Sequence, residues 1–259
     1  MSDAVAELIA QGKPSLKRFP DGTPDPRNFP PGTLGVVASD LGRYSAFTMS
    51  ITTMYALMSI TGCKLTYTRS VDVSGNCNEI IRHMEGDWAW IIGDDHEFHP
   101  SVLLNLLAHM YERDLDVIVP HCLKRTPPWP SVVYSHQEDG WYVPASLPAK
   151  GLTKIHAAGS AGMLIRRRVF DALSDPWFRP APDAAGLNED LYFCQQVREA
   201  GCDIWCDPET LLGHIAIYTT YPRLDPETGL WEVDLRFDED NRFPVKRIAQ
   251  AEKVKGAAA

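Results

Sequence analysis

The stretch WAWIIGDDHEFHP, residues 88–100, sets an apolar run directly against two acids and two histidines. Trp88 to Ile92 is a continuous apolar run of the length a buried strand needs. Asp94 and Asp95 follow at once, then His96 and His99. Like charges at adjacent positions repel, and a chain usually keeps them where a cation, or a substrate that brings one, sits between them. The competing reading is an N-cap pair for the next helix, but that helix opens at Pro100, several residues too late.

Outward from this stretch the pattern alternates. Pro100 sits at the first turn of a helix that runs to Arg113 and shows Leu103, Leu106, Leu107 and Met110 on one face. DVIVP (116–120) is the next buried strand. Upstream, TLGVVAS (33–39) reads as a strand and residues 44–61 as a helix closed by Gly62. CKLTYTRSVD then alternates as a strand, and Ile80, Ile81 and Met84 give a helix ending at Gly86. This β-α-β-α-β-α-β order predicts an α/β fold with a mostly parallel central sheet flanked by helices. Ligands of such sheets bind beyond the carboxyl ends of the strands, which is where Ser39, Asp72 and Asp94 fall.

The second half changes character. Residues 124–151 carry prolines and aromatics and alternate as short antiparallel strands. A glycine-bearing loop, Gly159-Ser160-Ala161-Gly162, precedes a strand at 163–165 and the run Arg166-Arg167-Arg168. A helix over LNEDLYFCQQVREAG holds Glu189 and Asp190 in its first turn, where acids complement the helix dipole. Residues 202–218 read as a strand, a turn and a further strand carrying His214. The expected organisation is an N-terminal extension over 1–32 with a short helix at its start, a catalytic domain over 33–217 that divides at 120/121, and an arm with a frayed tail over 218–259.

Composition narrows the function classes. The 259 residues carry a net charge of −9, which disfavours a surface built wholly to grip nucleic acid or anionic lipid. No apolar run nears the ~18–20 residues that cross a bilayer, and the N-terminus lacks the basic start and apolar core of a signal peptide. Six cysteines form no CxxC pair. They are expected as free thiols in a reducing cytoplasm, with a zinc site as the lesser alternative.

Four segments in order, WAWIIGDDH, AAGSAGMLIRRRVF, NEDLYFCQQVREAGCDIWCDP and LLGHI, resemble the family 2-type glycosyltransferases of the GT-A fold. The resemblance spans roughly residues 33–217. It implies a nucleotide-diphospho-sugar transferase fold with a small antiparallel portion on the acceptor side. It also implies a divalent cation, Mn²⁺ or Mg²⁺, bridging the phosphates of a sugar nucleotide, with UDP the expected nucleotide. Asp94, Asp95, His96 and the distal His214 are the implied metal set. If the register is Asp-x-His, as in the polypeptide N-acetylgalactosaminyltransferases, Asp94 and His96 are ligands; if it is shifted, Asp95 is a ligand and Gly93 replaces an acid common in relatives. Ser39, Asp72, Asp94, Gly159 and Ser160 are the implied donor contacts. Asp190, with Glu189 beside it, is the implied base of an inverting reaction, although the N-acetylgalactosaminyltransferases retain configuration.

Several residues keep a structural alternative. Asn76, Asn78 and His99 read as caps, Arg166–Arg168 as either a solvated patch or a phosphate contact, and Lys124 and Arg125 likewise. TPPWP (126–130) and Trp177-Phe178 read as sugar platforms or rim packing. Three functions remain open: a metal-dependent glycosyltransferase, a metal-dependent hydrolase, and a non-catalytic sugar-nucleotide module. The acceptor is open among glycan, protein, lipid headgroup, small molecule and modified DNA base. Similarity to small phage-type glycosyltransferases makes a hydroxymethylated base one candidate. No membrane insertion is expected.

Overall fold

The computed structural model describes residues 16–38, 45–69, 72–125, 129–136, 142–181, 187–216, 219–224, 227, 231–236 and 242–245. The expected N-terminal helix, Ser39 and the end at 246–259 lie outside the described residues. Two units divide the chain: residues 1–124 with 130–214, and residues 125–129 with 215–259.

In the first unit the elements follow in order. They are β1 (Thr33–Val37), α1 (Ser45–Met58), β2 (Lys64–Thr68), α2 (Val73–Arg82), β3 (Trp88–Gly93), β4 (His96–Glu97), α3 (Ser101–Arg113) and β5 (Val117–His121). Then come β6 (Val133–His136), β7 (Tyr142–Pro144), β8 (Thr153–Ile155), β9 (Ala157–Ala158), β10 (Met163–Arg166), α4 (Arg167–Ala172), α5 (Glu189–Glu199), β11 (Ile204–Leu211) and β12 (Gly213–His214). A seven-stranded sheet runs in the order β2-β1-β3-β10-β5-β11-β8. The pairs β1/β2, β1/β3 and β5/β11 are parallel, while β10 and β8 run against their neighbours. The α/β fold class with a mostly parallel sheet is therefore observed. The small antiparallel portion is β7-β6-β9, together with the short pair β12-β4.

The apolar runs become the central strands because they are covered on both faces. Trp88 to Ile92 and Val117 to Val119 are almost wholly buried. In α3, Leu103, Leu106, Leu107 and Met110 are fully buried, as their helical spacing requires. The His99 ring caps this helix: its Nδ1 accepts from the Ser101 N–H at 3.2 Å and meets the Ser101 hydroxyl at 2.8 Å. Asp72 caps α2 by accepting from the Gly75 N–H at 2.6 Å. The cap is thus Asp72 rather than Asn76 or Asn78, which are buried inside the helix.

Asn78 instead joins segments 100 residues apart. Its amide donates to the Phe178 carbonyl at 2.7 Å and accepts from the Phe178 N–H at 2.9 Å. Phe178 stacks on Phe193 of α5 with ring centroids 4.2 Å apart. Phe178 is fully buried and the Trp177 indole donates to the Phe170 carbonyl at 3.1 Å, so this pair packs the core rather than forming a sugar platform.

The second unit contains β13 (Thr219–Leu224), β14 (Trp231–Arg236) and β15 (Arg242–Val245), paired antiparallel in that order. Residues expected as an arm thus hold a three-stranded sheet, whose alternation is masked in the sequence by prolines and charges. No helix among the described residues is long and apolar enough to cross a membrane.

Replacing Asn78 with Ala strands the buried Phe178 N–H and C=O. With about 1–3 kcal/mol for each unsatisfied group, the Asn78→Ala variant is expected to lose roughly 2–6 kcal/mol in urea denaturation at an unchanged m-value.

Candidate metal centre and acceptor-side acid

The carboxyl ends of β1, β2, β3, β5 and β11 share one rim, because these strands run in one direction. The acidic loop leaves β3 there, and the segment after β11 brings back His214. The short β12-β4 pair sets His214 opposite His96. The two imidazoles stack with centroids 4.6 Å apart and 16° between planes. Asp95 lies against both rings: its Oδ1 is 3.0 Å from His96 Nδ1 and its Oδ2 is 3.3 Å from His214 Nε2. Burial alone would raise the Asp95 carboxyl. Hydrogen bonds from His214 and His96, and the charge those rings can carry, hold it far below the usual carboxylate range.

The ring tautomers follow from their neighbours. His214 Nδ1 is 2.9 Å from the Leu123 carbonyl, and His96 Nδ1 is 3.1 Å from the Gly93 carbonyl. A carbonyl only accepts, so Nδ1 carries the hydrogen in both rings; the contact of His214 Nε2 with the Asp95 carboxylate then needs either a second ring hydrogen or a cation in that hydrogen's place. His96 Nε2 is buried without a hydrogen-bond partner, and His214 Nε2 faces a carboxylate. Two imidazoles oriented by backbone carbonyls, with an acid beside them, are side chains that could hold a cation. Gly93 is part of the same packing. A Cβ there would stand 2.8 Å from Asp95 Oδ1 and 3.3 Å from the His96 ring, so a side chain at this position would have to displace the Asp95 carboxylate.

Asp94 is also buried, at 4% exposure, and its N–H donates to the Val37 carbonyl at the end of β1. The geometry therefore gathers Asp95, His96 and His214 around one point and holds Asp94 next to them on the β1 side. Cys122, one residue past β5, joins this group: one donor atom from each of His96, Cys122 and His214 lies within 4.8 Å of the others. Reading the sequence missed Cys122, although its place at the end of VIVPHC, on the same rim, was a usable signal. Burial chiefly, with the Asp95 charge adding to it, pushes its thiol up to about 12.

Asp190 opens α5, which leads into β11 and so begins at that same rim. Its carboxylate accepts from the Leu191 N–H at 2.8 Å and from the Ser160 backbone, and it stands 3.3 Å from where a Cβ on Gly159 would lie. The glycine loop thus closes against this acid. Burial first, and then the neighbouring Glu189 charge, raises the Asp190 carboxyl to about 6. Asp72, Glu189 and Asp190 all act electrostatically on the buried Cys77, which brings the first turns of α2 and α5 into one neighbourhood.

Other candidates lie elsewhere. Arg166 pairs in register with Trp88, the first residue of β3, so the arginine run starts at the opposite edge of the sheet. There Arg166 binds Asp87 at 2.6 Å and covers the Tyr111 ring at 3.8 Å. Arg167 donates to the Gly86 and Met84 carbonyls, and Arg168 binds Asp116 and Asp114. These guanidiniums are structural ties and face no phosphate at the rim. Lys124 follows Cys122 and lies 5.9 Å from the Tyr134 ring centroid. Arg125 and Trp129 belong to the second unit. Cys202 and Cys206 join no group of potential metal ligands among the described residues, and all six cysteines are free thiols.

Residues 56–174 match the Glycosyl transferase family 2 profile, a span from the end of α1 through α4 that includes the acidic loop and the glycine loop. Glu189, Asp190 and His214 lie beyond it. No curated protein matches the chain by sequence. Among solved structures, "Crystal Structure of A197 from STIV" superposes with a TM-score of 0.50 at 13% identity, covering 84% of this chain and 99% of that one. "Crystal structure of GalNAc-T7 with UDP, GalNAc and Mn2+" gives a TM-score of 0.48 at 12% identity, over 71% of this chain and 43% of that one. The matched span, just under half of the chain, is similar to the family 2 glycosyltransferases, and it falls on the mostly parallel sheet described above.

Proposed function

We propose that this protein transfers a sugar from a nucleotide-diphosphate sugar, with UDP the first nucleotide to test, to an acceptor hydroxyl with inversion, using a divalent cation held by Asp95, His96 and His214. The observation that carries the reading is the convergence of His96 and His214 on one carboxylate, across 119 residues of chain, with Nε2 left open on His96. The bound cation would supply positive charge to the departing diphosphate as negative charge grows there.

The protein's own residues do the rest. Asp95 and the two imidazoles fix the position of that charge at the rim. Asp94, buried beside β1, is placed to contact the donor from the nucleotide side, with Asp72 on the neighbouring helix start. The glycine loop at Gly159 and Ser160 lets the backbone approach the transferred sugar and orients the Asp190 carboxylate. Asp190 takes the proton from the acceptor hydroxyl. A carboxyl raised to about 6 is a stronger base than an ordinary aspartate and is still ionised at neutral pH. Glu189, one residue earlier, keeps it raised.

A hydrolase using two metals would need a second ligand cluster. Among the described residues His96, Cys122 and His214 form the one group of three such side chains. For the acceptor, Arg166–Arg168 supply no groove at the rim, so a hydroxymethylated DNA base would have to be gripped by other cations such as Lys124. A glycan, a protein or a small metabolite needs no such groove.

Calorimetry is expected to show UDP binding that requires a divalent cation, tested first with Mn²⁺ and Mg²⁺, and that is lost in the Asp94→Ala/Asp95→Ala double variant; equal binding by that variant contradicts the metal role. Asp190→Asn is expected to lower kcat by roughly 10²–10⁴ with UDP affinity near normal. In the wild type, kcat/KM should fall as pH drops through about 6, because protonation removes the base, and this acid limb should vanish in Asp190→Asn. The same shift costs stability. The folded state binds more protons than the unfolded one between about pH 4 and 6, so stability falls as pH rises through that window. Asp190→Asn should therefore raise Tm at pH 7.5 and leave it little changed near pH 4.

A further inference from the structure

We propose that Cys122 is a ligand of this centre, and that its sulfur makes the site select Zn²⁺ or Co²⁺ over Mn²⁺ and Mg²⁺. The inference rests on the metal reading above and adds the identity of one ligand and the class of metal.

Three observations support it independently of activity. The Cys122 sulfur, His96 and His214 each present a donor atom within 4.8 Å of the others, and four-coordinate zinc needs such atoms only about 1 Å closer, near 3.5 Å apart. His96 Nε2 is buried and has no hydrogen-bond partner, an unsatisfied nitrogen that a metal ion would take up. The Cys122 thiol is 1% exposed and its one hydrogen bond is a long 3.6 Å contact to the Leu123 carbonyl, a weak tie that a metal would readily replace. The same Leu123 carbonyl fixes the His214 tautomer, so one residue orients two of the ligands. Two imidazole nitrogens and a thiolate, with the Asp95 carboxylate beside them, make a borderline-soft set, whereas Mn²⁺ and Mg²⁺ favour oxygen. On binding, the thiol proton passes to solvent as the metal–sulfur bond forms, with no change of oxidation state.

Cobalt substitution tests this directly. Chelator-treated protein titrated with Co²⁺ is expected to show a near-ultraviolet thiolate-to-cobalt charge-transfer band and the strong visible bands of a four-coordinate ion. Cys122→Ser should lose the charge-transfer band and bind Zn²⁺ at least roughly ten-fold more weakly. Cys202→Ser, which alters the most exposed thiol, should keep the band. Circular dichroism checks that each variant is folded, and Cys122→Ala serves if the serine variant is not. Cobalt bound by the wild type without the charge-transfer band overturns the role of Cys122 and leaves the His–Asp centre standing. Failure of Co²⁺, Zn²⁺ and Mn²⁺ all to bind overturns both.

Discussion

The structure depends on a carboxylate set between two imidazoles, beside Nδ1 of His96 and Nε2 of His214. Leu123 and Gly93 carbonyls take the Nδ1 hydrogens, which leaves His96 Nε2 buried without a hydrogen-bond partner and His214 Nε2 against Asp95. The Asp95 carboxylate can face His214 Nε2 only with a positive charge between them, a proton or a cation. The requirement is local, but meeting it takes three strands. β3 must end at Gly93, β5 must end just before Cys122, and the chain after β11 must turn back through Gly213 so that His214 lies over His96. Gly93 is the clearest trace of this demand. Its missing side chain is the space that the Asp95 and His96 side chains fill.

Around that centre the fold separates its charges by edge. The arginine run, which looks in the sequence like a phosphate site, is spent at the amino edge of the sheet on Asp87, Asp114 and Asp116. The carboxyl edge keeps acids, imidazoles and a thiol, the side chains to which the proposed function assigns a cation. A diphosphate would then be held through that cation rather than through guanidiniums. This is consistent with an acidic protein handling an anionic donor. Asn78 and the Phe178–Phe193 stack fix α5, and α5 fixes Asp190. The raised carboxyl is a consequence of packing: the glycine loop closes over it and Glu189 sits next to it.

Much of this was legible in the sequence for physical reasons. Apolar runs of strand length alternating with 3.6-residue periodicity force a parallel sheet, and the sheet forces its strand ends to converge, so the acids at 94 and 95 and the late His214 were readable as one site. What was not readable depended on side-chain direction. Whether Arg166 faces the rim or the opposite edge depends on β10 running antiparallel, which no local pattern states. The choice between Asp94 and Asp95 turns on which carboxylate reaches His214. Cys122 carries no motif, and only its strand-end position hints at its partners. The three strands after residue 218 were hidden because prolines and charges interrupt their alternation.

The central claim is that His96 and His214 present Nε2 to a cation. Nitrogen-15 NMR of the histidine rings, with and without Zn²⁺, tests it most directly. The account predicts Nδ1–H rings for both residues, identified by His96→Asn and His214→Asn variants, and a large shift of both Nε2 signals when the metal is added. Protonated Nε2 on either ring in the presence of metal, or signals that ignore the metal altogether, would contradict it.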